Sequence, residues 1–393
     1  MRLFLLIMTL IIFTSCSSSD SSSEPCTNPD GIYEGNLQFR SQGELNNFDW
    51  TCYSSINGTL QIGPDYPSMS NPITDLTGLS QLEYVNAMDI FSNSSLSSLS
   101  GLEDIIIEDL FISHNPNLNS LVGLGTITGS LAIRVSPGLE SLIGLENVTN
   151  LYSLDVTFNE NLTSLAGLDN LNNVSHGIFI NENESLLSLN GLNNLGSVKI
   201  MDLNNNENLA TINSLSNLTT ISGIGSYFLI RGNHSSLASL QGLENIETVD
   251  ELTIENTTSL TNLIGICSLN AIQGNLSIVN NEGLINLEGL SGTELNGNLT
   301  IIGNDNLNSI SSLSGLISTK RIDIWNTALT TLDGLEDLIL VDGPIQIQVN
   351  SVLTDFCALN ALFSSGTING TFGTTNNAFN PTQSMMESGN CSN

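Results

Sequence analysis

Few groups in this chain are equipped for chemistry. Three histidines (His114, His176 and His234) and seven lysines or arginines are scattered among thirty-nine acidic residues. Hydrolytic or lyase chemistry would need a base, or carboxylates with a metal, gathered in one groove. Arg134 and Arg231, the arginines that close clear β-patterned stretches, lie four repeats apart, and the histidines are just as widely spread. No G-x-S-x-G, H-E-x-x-H, Walker loop or CxxC pattern occurs. Glu160, Glu184, Glu207, Glu282 and Asp305 each directly follow an asparagine, and neighbouring carboxylates of this kind can share Ca2+ with backbone carbonyls. Neither a D-x-D-x-D-G nor a G-G-x-G-x-D calcium loop is present, so a solvated acidic edge is expected. The chain reads as a non-enzyme, with no cofactor and no metal. His114 and His234 fall at corners and are expected to be solvated turn residues.

One returning phrase must position all of these groups. Its clearest copy runs from Leu154 to Leu168 and can be written L-x-I-x-x-N-x-x-L-x-S-L-x-G-L. The leucine after the asparagine recurs at Ile73, Leu96, Leu118, Leu139, Leu162, Leu186, Leu209, Leu237, Leu260, Leu284, Leu307, Leu329 and Leu353, at intervals of 21 to 28 residues. Such a period is the mark of a solenoid. L-x-I alternates as a half-buried strand does. A repeat of about 23 residues is too short for a strand, a crossover helix and two loops, so the return path must be extended segments and turns. One such coil cannot bury its own leucines, whereas stacked coils can. The expected fold is mainly β: a parallel β-solenoid of about 13 coils with small caps at both ends. The long interval between Leu209 and Leu237 predicts about five extra residues around Ser222 to Tyr227, as a corner loop.

Two columns mark the corners. The asparagines Asn93, Asn115, Asn159, Asn183, Asn206, Asn233, Asn281, Asn304 and Asn350 stand three residues after the second buried strand position. Asn256 and Asn326 stand one residue earlier, and Ser136 fills the slot once. Asparagine tolerates a left-handed backbone and can bond groups that a turn leaves unpaired, so a structural ladder is expected. The S-L-x-G-L glycines, Gly78 to Gly334, mark a second corner.

The variable positions lie beside the invariant ones. Between or just after the buried strand residues fall Phe91, Phe111, Arg134, Phe179, Leu229, Arg231 and Trp325, all expected to face out from one sheet. Exposed aromatics with arginine are the composition of a binding patch, and these seven are the candidate ligand-binding residues.

The net charge of −32 disfavours nucleic acid and anionic membrane surfaces. Aromatics are only 5% of the chain, so the core is expected to be aliphatic layers. Met1-Arg2 followed by the apolar run Leu3 to Phe13 is too short to span a bilayer but fits a signal-peptide core. Phe13-Thr14-Ser15-Cys16 resembles the lipobox of bacterial lipoproteins, which implies cleavage before Cys16 and acylation of that residue; Phe13 departs from the usual leucine. Residues 16–25 then form the lipidated cysteine and a Ser-rich tether. Cys26 and Cys52 bracket an N-terminal cap (26–59), and Cys357 and Cys391 bracket a C-terminal cap (354–393). A disulfide stapling each end is expected in an oxidising compartment. Cys267, within the repeat region (60–353), is expected to be a buried free thiol. Ser41 and Glu44 stand at capping-box spacing before a short helix, and Thr354 to Phe363 shows helical spacing with Gly366 as a stop.

The repeat phrase together with Cys-bearing caps resembles bacterial surface lipoproteins with leucine-rich, receptor L-domain-like repeats. The resemblance spans roughly residues 26 to 393. It implies a right-handed single-stranded parallel β-helix, or a close leucine-rich-repeat relative, used for binding an extracellular or envelope protein or a glycan. On that resemblance the chain would be exported, held at the outer membrane, on the cell surface, by its lipid alone. A structural or adhesive spacer is the alternative. N-x-x-L departs from the N-x-L of standard leucine-rich repeats, which favours a straight prism over a helix-backed horseshoe.

Overall fold

The computed structural model describes residues 30–64 and 72–393. The leader, Cys16, the tether and Cys26 lie outside the described residues.

The chain winds into a parallel β-solenoid whose coils stack in register. Tyr84–Phe91, Leu102–Ser113, Ser130–Arg134, Asn150–Thr157 and Asn173–Asn181 are successive rungs, each paired in parallel with the next. Ser197–Asn204, Tyr227–Arg231, Glu251–Glu255, Leu276–Val279, Asn298–Asn304, Arg321–Thr327 and Ile345–Gln348 continue the stack. The repeat phrase predicts about 13 coils; the structure has about 15. The additional rungs come from the cap segments. Leu37–Phe39 pairs in parallel with Ser55–Ile62 at one end, and Phe372–Thr375 pairs with Ile345–Gln348 at the other. At about 4.8 Å per rung the stack is roughly 70 Å long.

The return path is made of three-residue turns. In the coil that begins at Asn150, Leu162, Leu165, Leu168 and Leu171 recur every third residue and all are fully buried. The Leu168 N–H donates to the Leu165 carbonyl (3.2 Å), and the Leu171 N–H donates to the Leu168 carbonyl (2.9 Å). A bond every three residues turns the chain without building a helix, so each leucine lands inside. Together with Leu151, Leu154 and Val156 these side chains fill one layer, and a single aliphatic cluster runs through the whole stack. Burial contributes roughly 1.5–3 kcal/mol for each of them.

Aromatic side chains concentrate at the ends. Tyr33, Phe39, Phe48, Trp50 and Tyr53 pack together over the first rung, with centroid separations of 4.6 to 6.3 Å. The helix Gln42–Asn47 carries Ser41 as its N-cap, and Glu44 reaches back to the Arg40 N–H at 2.6 Å. At the far end the helices Asn360–Ser365 and Gln383–Glu387 are tied by the Cys357–Cys391 disulfide, and Gly366 ends the first. Cys52 is also disulfide-bonded. Cys267 is exposed rather than buried: the three-residue turns put Ile266 inside and aim its neighbour outward.

Candidate binding face

The buried asparagines form a ladder in several runs, all with the same direction. The side chain of each rung's asparagine serves the preceding rung. Asn206 Oδ1 accepts the Asn183 N–H at 3.1 Å, and Asn206 Nδ2 donates to the Ile180 carbonyl at 2.7 Å. Asn183 does the same for Asn159 and Val156, and Asn304 for Asn281 and Ile278. The left-handed backbone belongs to the residue before the ladder position, not to the asparagine itself. It is adopted by Val135, Phe158, Asn205, Asn256, Asn280, Asn326 and Val349, among others, with φ between 47° and 59°. Thr257 and Thr327 occupy the slots beside Asn256 and Asn326.

Asn233 is not part of this ladder. Strand offsets step from 23 residues (Val198 to Ile221) to 27 (Ile200 to Tyr227), so the loop before Tyr227 takes four of the extra residues. One more enters at Gly232-Asn233 and moves His234 into the slot. His234 is fully buried, not solvated, and its Nε2 bonds the Leu203 carbonyl at 3.1 Å, as an asparagine Nδ2 would. Its Nδ1 has no partner, and burial holds its pKa below the ordinary 6.5.

The glycine corner holds with one exception. Gly101, Gly123, Gly144, Gly167, Gly191, Gly242, Gly265, Gly289, Gly315 and Gly334 have φ between 91° and 125°. A Cβ at Gly167 would lie 2.0 Å from the Leu142 carbonyl of the preceding coil. Gly78 instead sits inside the 3-10 turn Thr77–Leu79.

The outward strand positions lie side by side, as the repeat requires. Asp89, Phe111, Ala132, Asp155, Phe179, Asp202 and Leu229 form one column, and Phe91, Ser113, Arg134, Thr157, Asn181, Asn204 and Arg231 the next. The seven candidate residues share this face without forming one patch. Phe91, Phe111, Arg134 and Phe179 fall within five successive rungs, Leu229 and Arg231 two rungs further on, and Trp325 four beyond that.

Around Phe111 and Phe179 the surface is built of flat groups. Arg134 lies over the Phe111 ring, 5.7 Å from its centroid, while pairing with Asp155 of the next rung. Phe179 rests on Gly177, where an added Cβ would meet its ring at 2.8 Å. His176 stacks on Tyr152 at 5.1 Å and 5°, and lies 6.4 Å from Phe179. Tyr152, His176 and Asp155 were not among the candidate residues. Asp155 was legible as the diagonal neighbour of Arg134 once the register was assumed; the Tyr152–His176 stack depends on positions outside the L-x-I phrase.

The arginines are tied down. Arg231 bonds Asp202 through two contacts of 2.6 and 3.0 Å, and that bond raises the guanidinium pKa against the opposing effect of burial. Arg321 pairs likewise with Asp323 (2.6 and 3.0 Å). Burial raises the Asp89 carboxyl above its ordinary value, against a 3.1 Å hydrogen bond from Gln61. Trp325 is partly buried, with its Nε1 unpartnered. Asp355 stands by Cys357 and Cys391, whose sulfurs are committed to the disulfide.

No protein-family model and no curated relative matches the chain. Among solved structures it is similar to the functional domain of InlJ from Listeria monocytogenes, which includes a cysteine ladder. The identity is 16% over 87% of this chain and 68% of that one, with a TM-score of 0.39. At that distance the likeness carries no argument about function. Among the described residues no helix is long and apolar enough to cross a membrane.

Proposed function

We propose that this chain is an exported, lipid-anchored cell-envelope binding protein that recognises a protein or a glycan through the strand-lined face of its solenoid. The observation that carries this reading is the surface from Phe91 to Phe179. The Phe179 ring sits over Gly177 there, and Arg134, paired with Asp155, is held over the Phe111 ring. Rings with few rotatable bonds, fixed before any ligand arrives, lose little entropy on binding. Cys16 supplies the anchor and residues 16–25 the tether, with display at the outer surface of the outer membrane. The face is offered for binding rather than catalysis, because its arginines are spent on Asp155, Asp202 and Asp323.

The test compares wild type with a Phe111→Ala/Arg134→Ala/Phe179→Ala variant in pull-downs from intact envelopes and on a glycan array. A ligand retained by wild type and lost by the variant supports the reading; identical retained sets overturn it. Metabolic labelling with an alkyne fatty acid, with Cys16→Ala as control, tests the anchor. Protease shaving of intact cells tests display.

A further inference from the structure

The chain carries a second surface on a different edge. The left-handed corner position is bulky or charged early in the stack, at His114, Val135, Phe158 and Glu182, and bulky again at Val349. Across the six rungs between, it is only asparagine or glycine: Asn205, Gly232, Asn256, Asn280, Gly303 and Asn326. Relief of backbone strain does not require this, since Val135, Phe158 and Val349 adopt the same φ.

The run of small residues opens a cavity of about 620 Å³ along the corner, lined by these residues with Asn233, Thr258, Glu282 and Asp305. Every lining side chain is an amide, a hydroxyl or a carboxylate, or is absent; none is apolar and none is cationic. The extra corner residues Gly232 and Asn233 belong to this lining, so the insertion that displaced the ladder also shapes the groove.

We infer that this corner groove binds a neutral polysaccharide, lying along the stack and hydrogen-bonded by the recurring amides. Amides offer donors and acceptors together, which is what a chain of hydroxyls requires. The exposed side chains of Asn233, Asn280 and Asn326 make no hydrogen bond to another described residue, while Asn205 bonds Glu182 and the Asn233 N–H, and Asn256 bonds Glu255. The rungs are about 4.8 Å apart, and Asn205, Asn256, Asn280 and Asn326 place amides along the groove, with Gly232 and Gly303 leaving room between them. Glu282 and Asp305, on a chain of net charge −32, exclude acidic polysaccharides. An extended peptide would bring apolar side chains for which the groove has no complement.

The test is native affinity electrophoresis of the full chain in gels containing laminarin, mannan, dextran or xyloglucan, with alginate as the anionic control. Retardation is expected in at least one neutral gel and not in alginate. Asn256→Phe/Asn280→Phe should weaken that binding at least about tenfold, as the loss of one or two hydrogen bonds predicts. Phe158 already occupies the same corner at φ 59°, so the variant is expected to fold, and its thermal melt checks this. Phe111→Ala/Phe179→Ala, on the strand face, should leave the retardation unchanged. The inference is overturned if no neutral gel retards the wild type, or if the double corner variant binds as tightly. It is overturned equally if the strand-face variant alone abolishes binding, a result that would support the function proposed for that face.

Discussion

Asn206 completes Asn183. The Oδ1 of the later residue takes the buried N–H of the earlier one at 3.1 Å, and its Nδ2 satisfies the Ile180 carbonyl beside it at 2.7 Å. The Asn183 N–H lies at the corner, and the Ile180 carbonyl lies near the end of the rung Asn173–Asn181. Replacing Asn206 by Ala should therefore orphan two groups in another coil, at a cost of roughly 1–3 kcal/mol each. Asn208, whose Nδ2 bonds the exposed Glu184 carbonyl at 2.9 Å, is the control, and its truncation should cost well under half as much. Denaturant melts of the two variants make the comparison.

His234 should make the fold sensitive to mild acid. Its folded pKa is depressed by burial, so between that value and about 6.5 the unfolded chain binds the proton and the folded chain does not. The contribution of neutral His234 is thus fully present above pH 6.5 and declines as the pH falls through that window. His234→Asn places an amide in the slot and should remove this component of the pH dependence. Thermal melts at graded pH read it directly, and an unchanged pH profile would refute the assignment.

Two glycines with nearly the same φ separate strain from crowding. Gly35 has φ 108° and open space where a Cβ would sit, whereas at Gly167, φ 115°, a Cβ would lie 2.0 Å from the Leu142 carbonyl. Gly35→Ala should cost about 1 kcal/mol. Gly167→Ala must in addition push two coils apart and should cost several-fold more, measured by the same melts.

Reduction of Cys357–Cys391 should release the C-terminal cap. The two residues are separated by 34 positions, for which loop closure is worth about 3–4 kcal/mol. Hydrogen exchange should show the loss first around Phe356 and Leu362, which pack against the last coils, while the central coils stay protected.

Much of this was legible because a solenoid writes its fold as a period. The spacing of Leu96 to Leu353 and the alternation at Leu110/Ile112 gave strand positions and parallel stacking without any structure. What escaped were single-residue shifts. Asn233 sits at the expected distance after Ile230, and nothing in the sequence reveals that Gly232 lengthens the corner and hands the slot to His234. Cys267 lies in a run of apolar residues, but three-residue turns, unlike strands, decide inside from outside by a count that a short run does not reveal. The seven candidate surface residues follow from the alternation; their separation into groups follows from rung number. The corner groove is legible in principle as a run of Asn and Gly one residue before the ladder slot, two before it at Gly232.

The ladder also has an arrow. Each amide completes a coil already made, and the series ends at Asn377, whose N–H is taken by Asn380 only three residues away at 3.0 Å. Wherever the next slot holds an asparagine, a chain growing from its N-terminus carries at its newest coil a buried donor whose acceptor has yet to be synthesised. Within those runs the growing tip stays unfinished, and a chain cut between Asn350 and Asn380 is left with one exposed wound.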